Sequence, residues 1–92
     1  RAIPFLLGLR LQDFHEFEAN GTKLNGILVT GVSDLSAGAL AGLRPGDVIT
    51  QANLKSVENV TALIDIAKNQ SDHLLLKVKR GNSSIFLVIE KG

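Results

Sequence analysis

The chain has 92 residues, 45% hydrophobic and 21% charged, a balance that supports one folded domain and argues against disorder. Lys and Arg number 10 against 9 Asp and Glu, and the net charge of +1 gives no electrostatic case for nucleic acid or an anionic membrane. The absence of cysteine excludes a disulfide scaffold, a thiolate metal site and a cysteine nucleophile, and no run of residues approaches the roughly 20 apolar ones needed to span a bilayer.

Leu9–Phe14 places Leu9 and Leu11 on one face and Arg10 and Gln12 on the other, which predicts a strand. Residues 16–24 are polar around Asn20-Gly21 and predict a turn. Gly26–Val32 is β-rich and apolar on both faces, as a central strand requires. Ser36–Leu43 consists of small residues and leucine, and predicts a short helix that lies close to a sheet, with Ser36 as N-cap. Pro45-Gly46 suits the central positions of a type II turn, and a short strand over Asp47–Ala52 follows.

In Asn59–Lys68, Val60, Leu63, Ile64 and Ala67 recur at helical spacing, and Ile66 widens the stripe. Asn59 is a good N-cap, and Lys68 lies favourably near the C-terminal end of the helix dipole. Leu74–Lys79 and Ser84–Glu90 predict two strands joined by a hairpin at residues 80–83. The order β, β, short α, β, long α, β, β implies a small α+β fold or partly open barrel.

Leu35–Ile49 ends in Ala41-Gly42-Leu43-Arg44-Pro45-Gly46-Asp47-Val48-Ile49, which resembles the signature of bacterial PDZ domains. Ala52-Asn53 is similar to their usual turn, with Leu54 in place of its glycine. Leu6-Leu7-Gly8-Leu9 resembles their carboxylate-binding loop, and Asn59–Ala67 their groove helix. The element order and Lys79–Leu87 resemble the second PDZ domain of HtrA-type (Deg) serine proteases, and the resemblance covers nearly the whole chain.

The resemblance implies a circularly permuted PDZ fold of five to six mostly antiparallel strands with two helices. It implies one domain over residues 1–92, and the start at Arg1 without any methionine leads us to expect a piece of a larger protein. The implied function is non-catalytic binding of C-terminal peptides or unfolded polypeptide by β-strand addition, on behalf of a periplasmic serine protease. The implied site comprises Leu6, Leu7, Gly8, Leu9, Arg10 and Leu11 with Val60, Ile64 and Ala67. Successive backbone N–H groups around Gly8 would take the terminal carboxylate.

Leu63 and Ile66 are expected in the core. Family members that read a Ser or Thr hydroxyl carry histidine where this chain has Val60, so an apolar residue is expected two places before the ligand's terminus. Ala67 is expected to leave room for a sizeable terminal side chain. A few strand hydrogen bonds and one or two buried side chains, set against ordering costs, imply a dissociation constant on the order of micromolar to hundreds of micromolar.

Other readings of the chain are an assembly module, docking other domains of the parent oligomer through the groove or a solvated edge at Lys77–Arg80, and a PDZ domain of another bacterial protease or secretion component. Enzymatic activity is the weakest reading. No Gly-x-Ser-x-Gly elbow occurs, and in Gly81-Asn82-Ser83 the glycine that should follow a protease nucleophile is Ser84. No metal or cofactor is expected, because His15 and His73 lie among polar residues without a second ligand at metal spacing.

Overall fold

A computed structural model describes residues 3–91. A short 3-10 turn (Pro4–Leu6) leads into β1 (Leu9–Phe17) and β2 (Lys23–Val32). Helix α1 (Ala37–Ala41), strand β3 (Val48–Ala52), the two-residue strand β4 (Lys55–Ser56) and helix α2 (Val60–Ala67) follow. The chain closes with β5 (His73–Arg80) and β6 (Ser83–Glu90). The strands form one sheet in the order β1-β2-β3-β5-β6, with every pair antiparallel. β2 and β4 share one side of β3, at Val48–Ile49 and Gln51–Ala52 respectively. The sheet is therefore open, with β1 and β6 as its two edges.

The core is built from alternate residues of β2, β3, β5 and β6 and from one stripe of α2. Ile27 and Val29 of β2, Ile49 of β3, Leu74, Leu76 and Val78 of β5, and Ile89 of β6 are fully buried, as is Leu63 of α2. Burying each such side chain contributes roughly 1.5–3 kcal/mol. Phe5 joins this cluster, so the residues leading into β1 are anchored from below. Leu63 and Ile66 behave as their spacing predicts. Leu63 is at the centre, and Ile66 is half-buried against the cluster.

Both helices start where capping chemistry allows. The Ser36 hydroxyl accepts from the Ala39 N–H at 3.1 Å, and the Asn59 side chain accepts from the Ala62 N–H at 2.8 Å. α1 is shorter than predicted because Gly42 takes φ +103° and ends it in a left-handed cap. Gly38 permits the close approach expected of small residues, since a Cβ there would lie 2.8 Å from Leu9 Cδ2. The first two strands run further than predicted, to Phe17 and from Lys23. Their polar residues pair across the ladder, as His15 Nδ1 does with Asn25 Oδ1 at 2.7 Å. Backbone pairing needs no apolar alternation in a solvated hairpin, so periodicity underestimates its length.

Lys77–Arg80 is not a solvated edge. β5 lies between β3 and β6, and its last residue holds the fold together. Arg80 donates from Nε to Asp47 Oδ1 at 2.8 Å and from Nη2 to Asp47 Oδ2 at 2.7 Å, and also to the Gly42 carbonyl at 2.8 Å. Asp47 is 1% exposed and also accepts from the Arg44 N–H at 3.0 Å. Burial alone would push its carboxyl up, but the Arg80 hydrogen bonds and charge and the Arg44 amide together hold it below the usual value. Lys79 pairs with Glu18 at 2.5 Å, and the Lys77 ammonium lies 5.9 Å from the centre of the Phe86 ring.

Candidate functional site

The strand edge of interest begins with a turn. Leu7 has φ −61° and ψ 135°, and Gly8 has φ +81°. The Leu7 torsions and the positive φ of Gly8 are those favoured at the central positions of a type II turn, and such a φ favours glycine at the second. A Cβ on Gly8 would also lie 2.8 Å from Ser36 Cβ and 3.1 Å from Ser33 Cβ. The Gly8 N–H has no acceptor among the described residues.

Two hydrogen bonds fix which way β1 presents its backbone. The Gly8 carbonyl accepts from the Ser33 N–H at 2.8 Å, and the Arg10 carbonyl accepts from the Thr30 hydroxyl at 3.1 Å. Both carbonyls therefore face β2. Backbone direction alternates along a strand, so Leu9 and Leu11 turn their N–H and C=O groups to the outer edge. No strand pairs with that edge.

Helix α2 faces it. Between them lies an open hollow of about 310 Å³ lined by Ile3, Leu6, Leu7, Leu9, Leu11, Val60 and Ile64. Leu6, Leu9, Leu11, Val60 and Ile64 are half-buried, and Leu7 stands on the rim at 54% exposed. The far end is tied by Asp13, whose Oδ1 accepts from the Val60 N–H at 2.8 Å. The result is a groove with an unpaired strand edge on one wall and apolar helical side chains on the other.

Two of the expected residues sit elsewhere. Arg10 is on the opposite face of β1, where its guanidinium covers Gly31, and a Cβ on Gly31 would collide with it. Ala67 is 1% exposed and belongs to the core. It lines a separate hollow of about 240 Å³ with Ile3, Pro4, Phe5, Lys68, Gln70 and Lys91. Ile3 lines both hollows and stands between Ala67 and the groove. The room that a small residue was expected to leave therefore opens into this second hollow, beside the segment before β1, and not into the groove.

Two residues of the groove escaped the sequence reading. Asp13 continues the alternation of Leu9 and Leu11, and that spacing was the available signal. Nothing in the sequence around Ile3 points to the groove, because its place depends on how Phe5 anchors the 3-10 turn.

The chain resembles known proteins in sequence and fold. A family model described as PDZ domain matches residues 28–80, more than half of the chain. The periplasmic serine endoprotease DegP of Salmonella typhimurium is 38% identical over 72 residues, which covers 78% of this chain and 15% of that protein. A probable periplasmic serine protease do/HhoA-like of Haemophilus influenzae is 31% identical over 88 residues, covering 96% of this chain and 18% of that protein. The chain thus spans less than a fifth of the length of these relatives. The crystal structure of the HtrA3 PDZ domain bound to the phage-derived ligand FGRWV superposes with a TM-score of 0.77 at 26% identity. The match covers 90% of this chain and 80% of that one. This chain belongs to the PDZ domain family, and it is similar to the PDZ domains of HtrA-type serine proteases.

Proposed function

We propose that the domain binds the C-terminus or an extended segment of a polypeptide by strand addition at the outer edge of β1. We further propose that it does so as a non-catalytic module, the second PDZ domain, of a periplasmic HtrA-type serine protease that handles misfolded proteins. The observation that carries the reading is the outward direction of the Leu9 and Leu11 backbone groups into an apolar groove. An incoming antiparallel strand gives these groups partners, and its alternate side chains lie between β1 and α2. In this reading the Gly8 N–H, unpaired in the turn that precedes β1, donates to the terminal carboxylate. The ligand of HtrA3 and the names of the periplasmic relatives support the same assignment.

Val60 carries no hydrogen-bonding side chain, so the residue two places before the ligand's terminus gains from apolar contact rather than from a hydroxyl. The test is an amide-resolved NMR titration with peptides ending in an apolar residue, each paired with its C-terminal amide. Shifts at Gly8–Leu11 and at residues 60–64 that are lost on amidation are expected. Absence of shifts up to millimolar peptide sinks the proposal.

A second reading has its own support. Leu35, Leu40 and Val88 are 83%, 75% and 46% exposed around a hollow of about 320 Å³ between α1 and β6. Such a patch suits contact with another domain of a protease oligomer. Sedimentation of the chain with and without the parent's other PDZ domain separates this reading from the first.

A further inference from the structure

The groove face of β1 carries Leu9, Leu11 and Asp13 in alternation. The first two line the hollow, and the third crosses to α2, where Oδ1 takes the Val60 N–H. Oδ2 has no partner among the described residues. A carboxylate with one uncommitted oxygen therefore stands one pleat beyond Leu11, beside the wall formed by Val60.

A strand added antiparallel to β1 with its terminus at Gly8 has a fixed register. Its last residue lies opposite Leu9, the one before it opposite Arg10, and the next opposite Leu11 on the groove face. The side chain of that third residue lies between Leu11 and Val60. Asp13 is its diagonal neighbour, and diagonal neighbours in a sheet are about 7–8 Å apart at Cα, within reach of a long side chain. An arginine or lysine there can lay its methylenes against Leu11 and Val60 and place its cation on Oδ2.

We propose that Asp13 is a specificity-determining residue of this groove, selecting peptides with a long basic side chain two places before the C-terminus. The inference rests on the strand-addition reading. It refines the apolar preference read from Val60, since the stem of the same side chain satisfies that wall.

The experiment uses three hexapeptides that end in valine and differ only in the third residue from the end: arginine, its neutral isostere citrulline, or leucine. Each is titrated into the wild-type chain and into Asp13→Asn. The variant keeps a carbonyl oxygen for the Val60 N–H while removing the charge, and a thermal melt checks its fold. In the wild type the arginine peptide is expected to bind roughly threefold to fivefold tighter than the citrulline peptide, the scale of a part-exposed ion pair. In Asp13→Asn the ratio falls to about one. Added salt compresses the wild-type ratio in the same direction. Equal binding of the arginine and citrulline peptides by the wild type overturns the role of Asp13, as does a ratio that survives in the variant. If none of the three peptides shifts any amide, the strand-addition reading fails first and takes this inference with it.

Discussion

The Asp47–Arg80 contact and the β1–α2 groove are built on opposite principles. At the first, a buried carboxylate receives three hydrogen bonds, two from one guanidinium and one from the Arg44 amide, and the same guanidinium also closes on the Gly42 carbonyl. At the second, the backbone of Leu9 and Leu11 faces outward with no strand beside it. A buried polar group that is fully satisfied fixes one structure, because any rearrangement leaves a charge unpaired. An unsatisfied strand edge is a standing capacity to pair. The family signature around Arg44-Pro45-Gly46-Asp47 therefore serves the fold, and the proposed peptide site lies in a stretch whose pattern is far less distinctive.

The sharpest break of this contrast is at Asp47. Asp47→Ala leaves the Arg80 guanidinium and the Arg44 amide without their acceptor, and a loss of roughly 3 kcal/mol in urea unfolding is expected. Peptide affinity of the folded variant should be retained, since Asp47 does not line the groove. Acid tests the same group. Its carboxyl is held below the usual value in the folded state, so the unfolded chain binds more protons in that range. The stabilisation is full above the unfolded value of about 4 and is lost as pH falls through the lower folded value. The wild-type urea midpoint should therefore drop as pH falls below about 5, and Asp47→Ala should lack that part of the drop.

Gly8→Val tests the opposite region. A valine at φ +81°, meeting Ser36 Cβ, costs about 2 kcal/mol of stability and distorts the head of the groove. Here binding should weaken at least about tenfold even at temperatures where the variant is fully folded, for want of an aligned donor. Loss of stability with unchanged affinity would mean that the turn serves the fold alone, as Asp47 does.

Ile3→Ala sharpens the comparison within the groove. Removing the side chain between Ala67 and the hollow should open space for a larger terminal residue. Affinity for peptides ending in phenylalanine is expected to rise roughly threefold relative to those ending in valine, about one methylene's worth of burial. A fixed preference would mean that Ile3 does not limit the terminal pocket.

The smallest effect lies outside both regions. The β3–β4 turn holds Asn53 at φ +52° and Leu54 at φ +68°, and Leu54 is 69% exposed. Leu54→Gly relieves left-handed strain at a position that buries little, and should raise stability by about 0.5 kcal/mol with no change in peptide affinity. A lower urea midpoint would show that the leucine contributes packing that outweighs its strain.

The elements whose signals are local could be read from the residues alone. Caps at Ser36 and Asn59, the glycine turn at Pro45-Gly46, the apolar stripe of α2 and the alternation of β1 depend on neighbours within a few residues, and all of them are in place. The family too was legible there, in the signature around Asp47 that binds the turn to the sheet. Tertiary structure alone decided that Arg80 is the partner of Asp47, 33 residues away. It also decided that Ile3 separates Ala67 from the groove and that Asp13 reaches α2 across 47 residues. A side chain's partner across the chain is set by how the whole sheet and helix pack, and spacing along the sequence encodes only which face it leaves from.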